Sequence, residues 1–277
     1  MKPSRHFGRF LAIWLGSSAI ATPLVAFLLT PDLPPGTNAD DAQGQVLDNE
    51  ILTLVATPIF LLIVVFLGYV LVVFRQTGPE VEEGPRIYGH AGAQTTWIVA
   101  STAIVLALFA YGTWRLLDAG AAGGGQGPSP LSPAGGKSVL PVQVIGQQWQ
   151  FTYRYPTYGG LETARLVLPL GRTAELHVTS LDVIHSFWAY QLGVKADANP
   201  GVDNIVYVTP TRVGTFDVRC AEICGIWHGY MFDKGRVVGR QEFEAWIRDQ
   251  QRVFGPVLPY LPPYGRTYLP DPQRRAG

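Results

Sequence analysis

Four side chains able to hold a soft metal fall within the twelve residues Cys220-Ala-Glu-Ile-Cys224-Gly-Ile-Trp-His228-Gly-Tyr-Met231. Cys220 and Cys224 are the only two cysteines among 277 residues, and a further histidine, His185, stands 35 residues before the first of them. Thiolate, imidazole and thioether ligands gathered in one loop select copper over magnesium or calcium, because ligand softness and the Irving–Williams order both favour it.

Other uses of the same residues compete with that reading. Two cysteines four apart in an oxidising compartment are compatible with a disulfide, the commoner fate of a cysteine pair in a secreted protein. A disulfide leaves His228 and Met231 without a role, and closing so short a loop removes little chain entropy. Structural zinc takes cysteine and histidine but has no use for methionine. A mononuclear blue-copper site needs one cysteine, two histidines and a weak axial methionine, so this loop carries one thiolate too many. The surplus is explained if both thiolates bridge two copper ions, each with one terminal histidine, Met231 lying weakly on one ion and a backbone carbonyl on the other. Such a centre shares one electron between two metals, so its bond lengths change little on oxidation. It is a carrier of electrons and not an oxygen-binding site.

The elements that must position this loop begin in lipid. The charged fraction is 15%, against roughly 25% for a soluble globular chain. Phe10 to Leu29, Ile51 to Phe74 and Ala91 to Trp114 are uncharged runs of twenty, twenty-four and twenty-four residues. Each is long enough to cross a membrane as a helix, which takes about 20 residues. Lys2, Arg5 and Arg9 place the N-terminus inside, because basic short loops stay cytoplasmic. The stretch from Thr30 to Glu50 has five acids and no lysine or arginine, and reads as an outer loop. Arg75 and Arg86 hold the next loop in the cytoplasm, so everything after Trp114 is extracytoplasmic. Ala19-Ile-Ala21 also fits a signal-peptidase site. Cleaved or retained, the first segment leaves the later two helices as a hairpin with both outer ends outside.

Ala119 to Lys137 holds seven glycines and three prolines with no apolar periodicity, the composition of a flexible linker. Beyond it the chain reads as strands. Trp149, Phe151, Tyr153 and Tyr155 alternate with Gln148, Gln150, Thr152 and Arg154 as in a half-buried strand, and Ala174, Leu176 and Val178 repeat the pattern. Ile205 to Val208 and Phe216 to Arg219 add two β-rich runs bounded by proline or glycine, which suggests a sandwich or Greek-key barrel. Glu242 to Val253 is the one helical pattern, with Phe243, Trp246, Ile247 and Gln250 near one face. The Pro-rich tail reads as an extended surface strap, and His6, His90 and His177 match no ligand spacing and read as surface or loop residues. Trp188 and Trp227 flank the ligands and are expected to keep water from the site.

From about Glu50 to Val253 the chain resembles subunit II of the haem–copper cytochrome c oxidases. Three motifs carry the resemblance: the cysteine loop itself, Asp182-Val-Ile-His185-Ser-Phe-Trp, and Gly193-Val-Lys-Ala-Asp197-Ala-Asn-Pro-Gly201. The fold it implies is a membrane α-helical hairpin plus an all-β, cupredoxin-like Greek-key domain. Its segments are 1–30 as a signal peptide or additional N-terminal membrane helix, 51–74 and 91–117 as membrane helices, and 119–137 as linker. The cupredoxin domain follows at 138–255 and the tail at 256–277. The resemblance implies a dinuclear copper A centre in which Cys220 and Cys224 bridge the ions and His185, His228, Met231 and the Glu222 carbonyl complete the coordination. It also implies a magnesium ion at the border with subunit I, reached by the Glu222 carboxylate, a hard ligand suited to it. Gly146-Gln-Gln-Trp149 is similar to the segment whose tryptophan receives electrons from cytochrome c; by pattern alone Trp149 is equally a core aromatic.

Two features depart from the family. A glutamate frequent near the start of the last membrane helix is replaced by Gln94, three residues before Trp97, and an amide cannot relay protons. From Val139 to Gly277 there are fourteen Lys or Arg against twelve Asp or Glu, whereas partners of soluble basic cytochrome c tend to present an acidic face. A membrane-bound donor or a small copper protein is therefore also compatible.

The resemblance implies a respiratory oxidase subunit in the bacterial cell membrane that receives electrons from cytochrome c or another periplasmic donor and passes them to haem in subunit I. Oxygen reduction and proton pumping then take place in the complex, with subunit III as a further partner. The copper-bearing subunit of a nitric oxide reductase is the alternative, and a copper-free quinol oxidase subunit II is disfavoured by the intact ligands. No CxxCH for haem c and no basic stripe for nucleic acid is present in the sequence.

Overall fold

The computed structural model describes residues 3–30, 33, 36–75, 78, 88–118 and 139–260. The expected linker, the tail beyond Tyr260, and Lys2 and Arg86 lie outside the described residues. The chain divides into two compact units, one of apolar helices and one built mainly of strands.

Three helices come first, α1 (Pro3–Leu28), α2 (Asp40–Val73) and α3 (Ala91–Asp118). Each contains a window long and apolar enough to cross a membrane, with none of it buried by protein, so leucine, isoleucine, valine and phenylalanine form the outside of the helices, as lipid requires. Within this unit α1 lies on α2. Trp14 Nε1 donates to the Pro58 carbonyl at 2.8 Å, Phe10 meets Phe66 edge to face, and His6 Nδ1 is 3.0 Å from the Tyr69 hydroxyl. His6 is thus a half-buried helix residue, not a loop residue. His90 does lie in a loop, where its Nδ1 and carbonyl cap the first turn of α3 by accepting from the N–H groups of Ala93 and Gln94.

α2 begins eleven residues before the apolar run at Ile51 that marked it in the sequence. Charge marks where a helix leaves lipid, not where it stops. No proline interrupts the chain between Pro35 and Pro58, and Asp40 at the first helical position suits the positive end of the helix dipole.

The second unit holds ten strands among the described residues. β1 (Leu140–Gln147), β2 (Gln150–Tyr155), β3 (Leu161–Thr163), β5 (Ala174–Ser180) and β8 (Asn204–Val208) form one sheet in the order β3-β2-β1-β5-β8. β4 (Val167–Pro169), β6 (His185–Ala189), β7 (Val194–Ala198), β9 (Gly214–Cys220) and β10 (Phe232–Val238) form the other, in the order β4-β10-β9-β6-β7. Val142, Val144, Tyr153 and Leu176 of the first sheet share a core with Phe187, Phe216 and Val218 of the second. This is a cupredoxin-like β-sandwich that follows apolar helices in the chain. α4 (Arg240–Phe254) closes one side by burying Phe243 and Ile247, with Phe243 and Trp246 against the Tyr155 ring. The next residues, Gly255–Tyr260, form a 3-10 helix and not the extended strap expected there.

The first sheet buries more than alternation suggests. Phe151, Tyr153 and Tyr155 point into the core as expected, but Thr152 and Arg154 on the opposite face are buried too. Arg154 donates to Gln143 Oε1 at 2.6 Å and to Glu162 Oε2 at 2.7 Å. His177 also departs from its reading as a surface residue. It is fully buried on β5, with Nδ1 2.8 Å from Asp203 Oδ2 and Nε2 2.9 Å from Glu175 Oε1. Two carboxylates, rather than solvent, satisfy its ring.

The segment before α2 and the first turns of α2 belong to this second unit. The Asn38 N–H donates to the Gln191 carbonyl and the Asn38 carbonyl accepts from the Thr211 N–H, both at 2.9 Å; Gln45 Nε2 donates to the Gly193 carbonyl at 2.6 Å. Ala39 forms a bridge with Pro210 and, with Ala42, is fully buried. A fragment starting at residue 139 loses these bonds. Its melting temperature is expected to lie on the order of 5 °C below that of the same fragment carrying residues 36–50 on a flexible linker. Equal melting temperatures by circular dichroism would show that the segment contributes nothing.

Candidate metal centre

The cysteine loop is a β-hairpin connection. β9 and β10 pair antiparallel with Arg219 opposite Phe232, and one step further the Cys220 N–H donates to the Met231 carbonyl at 3.0 Å. That bond closes the loop, so residues eleven apart in sequence face each other. A 3-10 turn over His228–Tyr230 carries the chain back, with the Met231 N–H on the His228 carbonyl. β6 lies on the other side of β9 with Phe187 opposite Cys220, and the Ala221 N–H donates to the Ser186 carbonyl at 2.9 Å. This pairing brings His185, distant in sequence, to the loop.

The expected donors converge. Cys220 Sγ and Cys224 Sγ are 3.7 Å apart, Cys220 Sγ is 3.9 Å from His185 Nδ1, and Cys224 Sγ is 3.5 Å from His228 Nδ1. Met231 Sδ lies 3.8 Å from Cys224 Sγ, and the Glu222 carbonyl 3.2 Å from Cys220 Sγ. His185, Cys220, Cys224 and Met231 are buried, whereas the Glu222 residue is exposed. Among the described residues, His185, Cys220 and Cys224 are the group of metal-capable side chains whose ligand atoms all lie within 4.8 Å of one another. Both cysteines are free, and their separation is well beyond the S–S bond of about 2.0 Å. Each sulfur has an imidazole nitrogen within 4 Å, a donor set that fits soft metal ions.

Electrostatics separates the two thiols. Burial opposes ionisation of Cys220, but hydrogen bonds from His185, the Ser186 and Glu222 backbone and His228 outweigh it and draw its pKa down to about 6. Burial pushes the Cys224 thiol up, and the neighbouring Cys220 sulfur pushes it further. Burial likewise opposes the charged form of His185, yet contacts with Cys220 and Asp182 hold its pKa above the ordinary imidazole value. Asp182 Oδ1 sits 2.8 Å from His185 Nε2, turning Nδ1 toward the sulfur. Such a carboxylate behind a histidine fixes the ring and leaves the other nitrogen free for a metal.

Three supporting residues carried no role in the sequence reading. Asp182 stands three residues before His185, and that spacing was the available signal. Gly146 leaves room for the imidazole, since a Cβ there would meet the His185 ring at 3.0 to 3.3 Å. Gly225 has φ +121°, a conformation open to glycine, beside Gln148 and Trp149. Trp149 is half-buried at the edge of the core, its Nε1 donating to the Cys224 carbonyl at 3.2 Å and its ring edge-on to Trp227 at 6.5 Å. Trp227 and Trp188 do not seal the site as expected, being 50% and 39% exposed. Short loops and a strand edge leave their outer faces to solvent or to a partner.

A cupredoxin-like sandwich that follows apolar helices in the chain, with two cysteines, a histidine and a methionine in one loop and a second histidine on β6 beside it, defines a protein with membrane-length helices and a candidate soft-metal site. Residues 161–234 match the family described as "Cytochrome C oxidase subunit II, periplasmic domain". A cytochrome c oxidase subunit 2 of Thermostichus vulcanus is 34% identical over 213 residues, covering 74% of this chain and 62% of the relative. One from Synechocystis sp. is 28% identical over 249 residues, covering 78% and 74%. The crystal structure of the periplasmic domain of cytochrome oxidase subunit II from Bradyrhizobium japonicum is similar at 31% identity and a TM-score of 0.40, over 42% of this chain and 95% of that one. The matched domain and these relatives support a likeness of this chain to cytochrome c oxidase subunit II, a family that implies copper binding. The chain spans less than two thirds of the length of the Thermostichus relative.

In the metal-free chain, alkylation by iodoacetamide is expected to follow Cys220 ionisation, because the thiolate is the nucleophile. The rate should fall as pH drops through about 6, and His185→Ala should move that midpoint up. A wild-type midpoint near the free-cysteine value of about 8.5 would contradict the assigned electrostatics.

Proposed function

We propose that this chain carries electrons into a respiratory oxidase: a donor outside the membrane, cytochrome c or another carrier, reduces a dinuclear copper centre held by Cys220, Cys224, His185, His228, Met231 and the Glu222 carbonyl. The electron then passes to haem in subunit I, where oxygen reduction is coupled to proton pumping. The observation that carries this reading is the pair of buried sulfurs 3.7 Å apart, each beside its own histidine. When bound, the copper pair supplies a one-electron store with little reorganisation on changing charge.

The protein supplies shape and coupling. Burial of the sulfurs and of His185 excludes water from the site. The Trp149 indole, through its N–H on the Cys224 carbonyl, offers a hydrogen-bonded route to a sulfur-bearing residue, which supports Trp149 as the point of electron arrival. Ile223 and Ile226, 80% and 83% exposed, with Trp227 and Tyr230 form an apolar rim suited to docking. The Glu222 carboxylate is the proposed magnesium contact with subunit I. Segments 51–74 and 91–117 are the proposed membrane hairpin, with the copper domain on the extracytoplasmic side and 119–137 as the link between them. The packing of Trp14 against the Pro58 carbonyl supports residues 1–30 as a retained third span.

Copper-loaded full-length chain in detergent is expected to give an EPR spectrum with hyperfine structure from one electron shared by two equivalent coppers. Trp149→Phe should still bind two coppers while slowing reduction by cytochrome c on the order of tenfold. A single type 1 copper spectrum, or a chain that takes up no copper, would remove the dinuclear assignment.

A further inference from the structure

We infer that Gln148 is a positioning residue that holds the two halves of the candidate copper centre against each other, an inference that rests on the copper reading above. Its main-chain N–H donates to Asp182 Oδ2 at 2.7 Å, and the other oxygen of that carboxylate faces His185 Nε2. Its side-chain amide donates to the Cys224 carbonyl at 2.8 Å. A single residue in the turn between β1 and β2 therefore grips the His185 half through Asp182 and the Cys224 half directly.

The rest of the scaffold leaves this work undone. β6 and β9 pair through Phe187 with Cys220 and Trp188 with Arg219, and the Ala221 N–H extends this to the Ser186 carbonyl, which locates Cys220 but not Cys224. Cys220 is further fixed by the Met231 carbonyl. Cys224 lies four residues beyond the end of β9, outside either sheet. Its carbonyl accepts two side-chain bonds, from Gln148 and, longer, from Trp149. The next residue is Gly225, where a Cβ would stand 2.9 Å from Gln148 Nε2 and 3.2 Å from the Trp149 indole, so the loop lies directly on the amide. Without that amide the Cys224 main chain keeps only the longer bond. Cys224 Sγ, with the His228 and Met231 atoms beside it, can then shift relative to Cys220 and His185. Equal sharing of an electron between two metals requires the two halves to stay matched, and Gln148 is placed to enforce that match.

The test uses full-length chain with Gln148→Ala and Gln148→Glu, the latter equal in size but bearing an oxygen that cannot donate to a carbonyl. In the metal-free chain, mass-mapped alkylation of Cys224 should rise about fivefold, the population change expected for losing one hydrogen bond, with Cys220 unchanged. A general loss of stability would expose both. In the copper-loaded chain both variants should retain two coppers but show unequal hyperfine couplings and a shifted reduction potential. Wild-type alkylation, spectrum and potential in both variants would overturn the inference. If Gln148→Ala does not fold, the isosteric Gln148→Glu decides. If the wild-type chain itself gives no shared-electron spectrum, the copper reading fails, while the metal-free alkylation still decides whether Gln148 holds Cys224.

Discussion

Antiparallel pairing of β9 with β10, carried to its last rung by the Cys220 N–H on the Met231 carbonyl, is the constraint on which the site depends. Once those two residues face each other, the ten between them must leave the sheet and return within one short loop, which turns Cys224 and His228 back over Cys220. The pairing of β6 along β9 then sets His185 beside the first sulfur. Hydrogen bonds of the sheet cannot slip by one residue without turning every core side chain outward. Burial of Phe216 and Val218 on β9 and Val237 on β10 therefore fixes the same register that aligns the ligands.

The site so formed is electrostatically unbalanced. Two sulfurs 3.7 Å apart in a buried place cannot both carry charge cheaply, and the protein resolves this by favouring ionisation of Cys220 and opposing that of Cys224. A metal cation reverses that logic, since a coordinated thiol loses its proton outright. The same concentration of negative charge that keeps one thiol protonated would attract a soft cation. Asp182 contributes by holding His185 from behind, and Gly146 by leaving the ring its space.

The surroundings divide into a built interior and an unfinished surface. Inside, Phe151 packs beside His185 and against Phe187, and the buried Arg154 and His177 find carboxylates. Outside, Ile223, Ile226, Trp227 and Tyr230 stay exposed around the loop, a concentration of apolar surface that an isolated soluble domain would hide. The segment at 36–45 is counted with the β-domain although it leads into a membrane helix, so sequence order and domain membership part company there.

Much of the site was legible in the chain because its chemistry is local. Cysteine, histidine and methionine crowded into twelve residues state a soft-metal preference whatever the fold, and twenty-residue apolar runs state a membrane helix through length alone. The motif around His185 was legible as well, though only by resemblance. Less of the fold could be read. β1, β3, β4, β6, β7 and β10 escaped notice since strands owe their stability to neighbours more than to their own pattern. His177 looked like a surface residue because nothing in its spacing announces Glu175 and Asp203 on either side. The start of α2 was misplaced for a similar reason: acids say where lipid ends, while the helix continues until something breaks it. Residue types and local spacing thus determined what this protein can bind and that it lives in a membrane. Only the tertiary structure decided that His185 meets Cys220, that Gln148 and Trp149 both reach the Cys224 carbonyl, and that the two sulfurs stand 3.7 Å apart, because those relations are set by strand pairing between segments far apart in the chain.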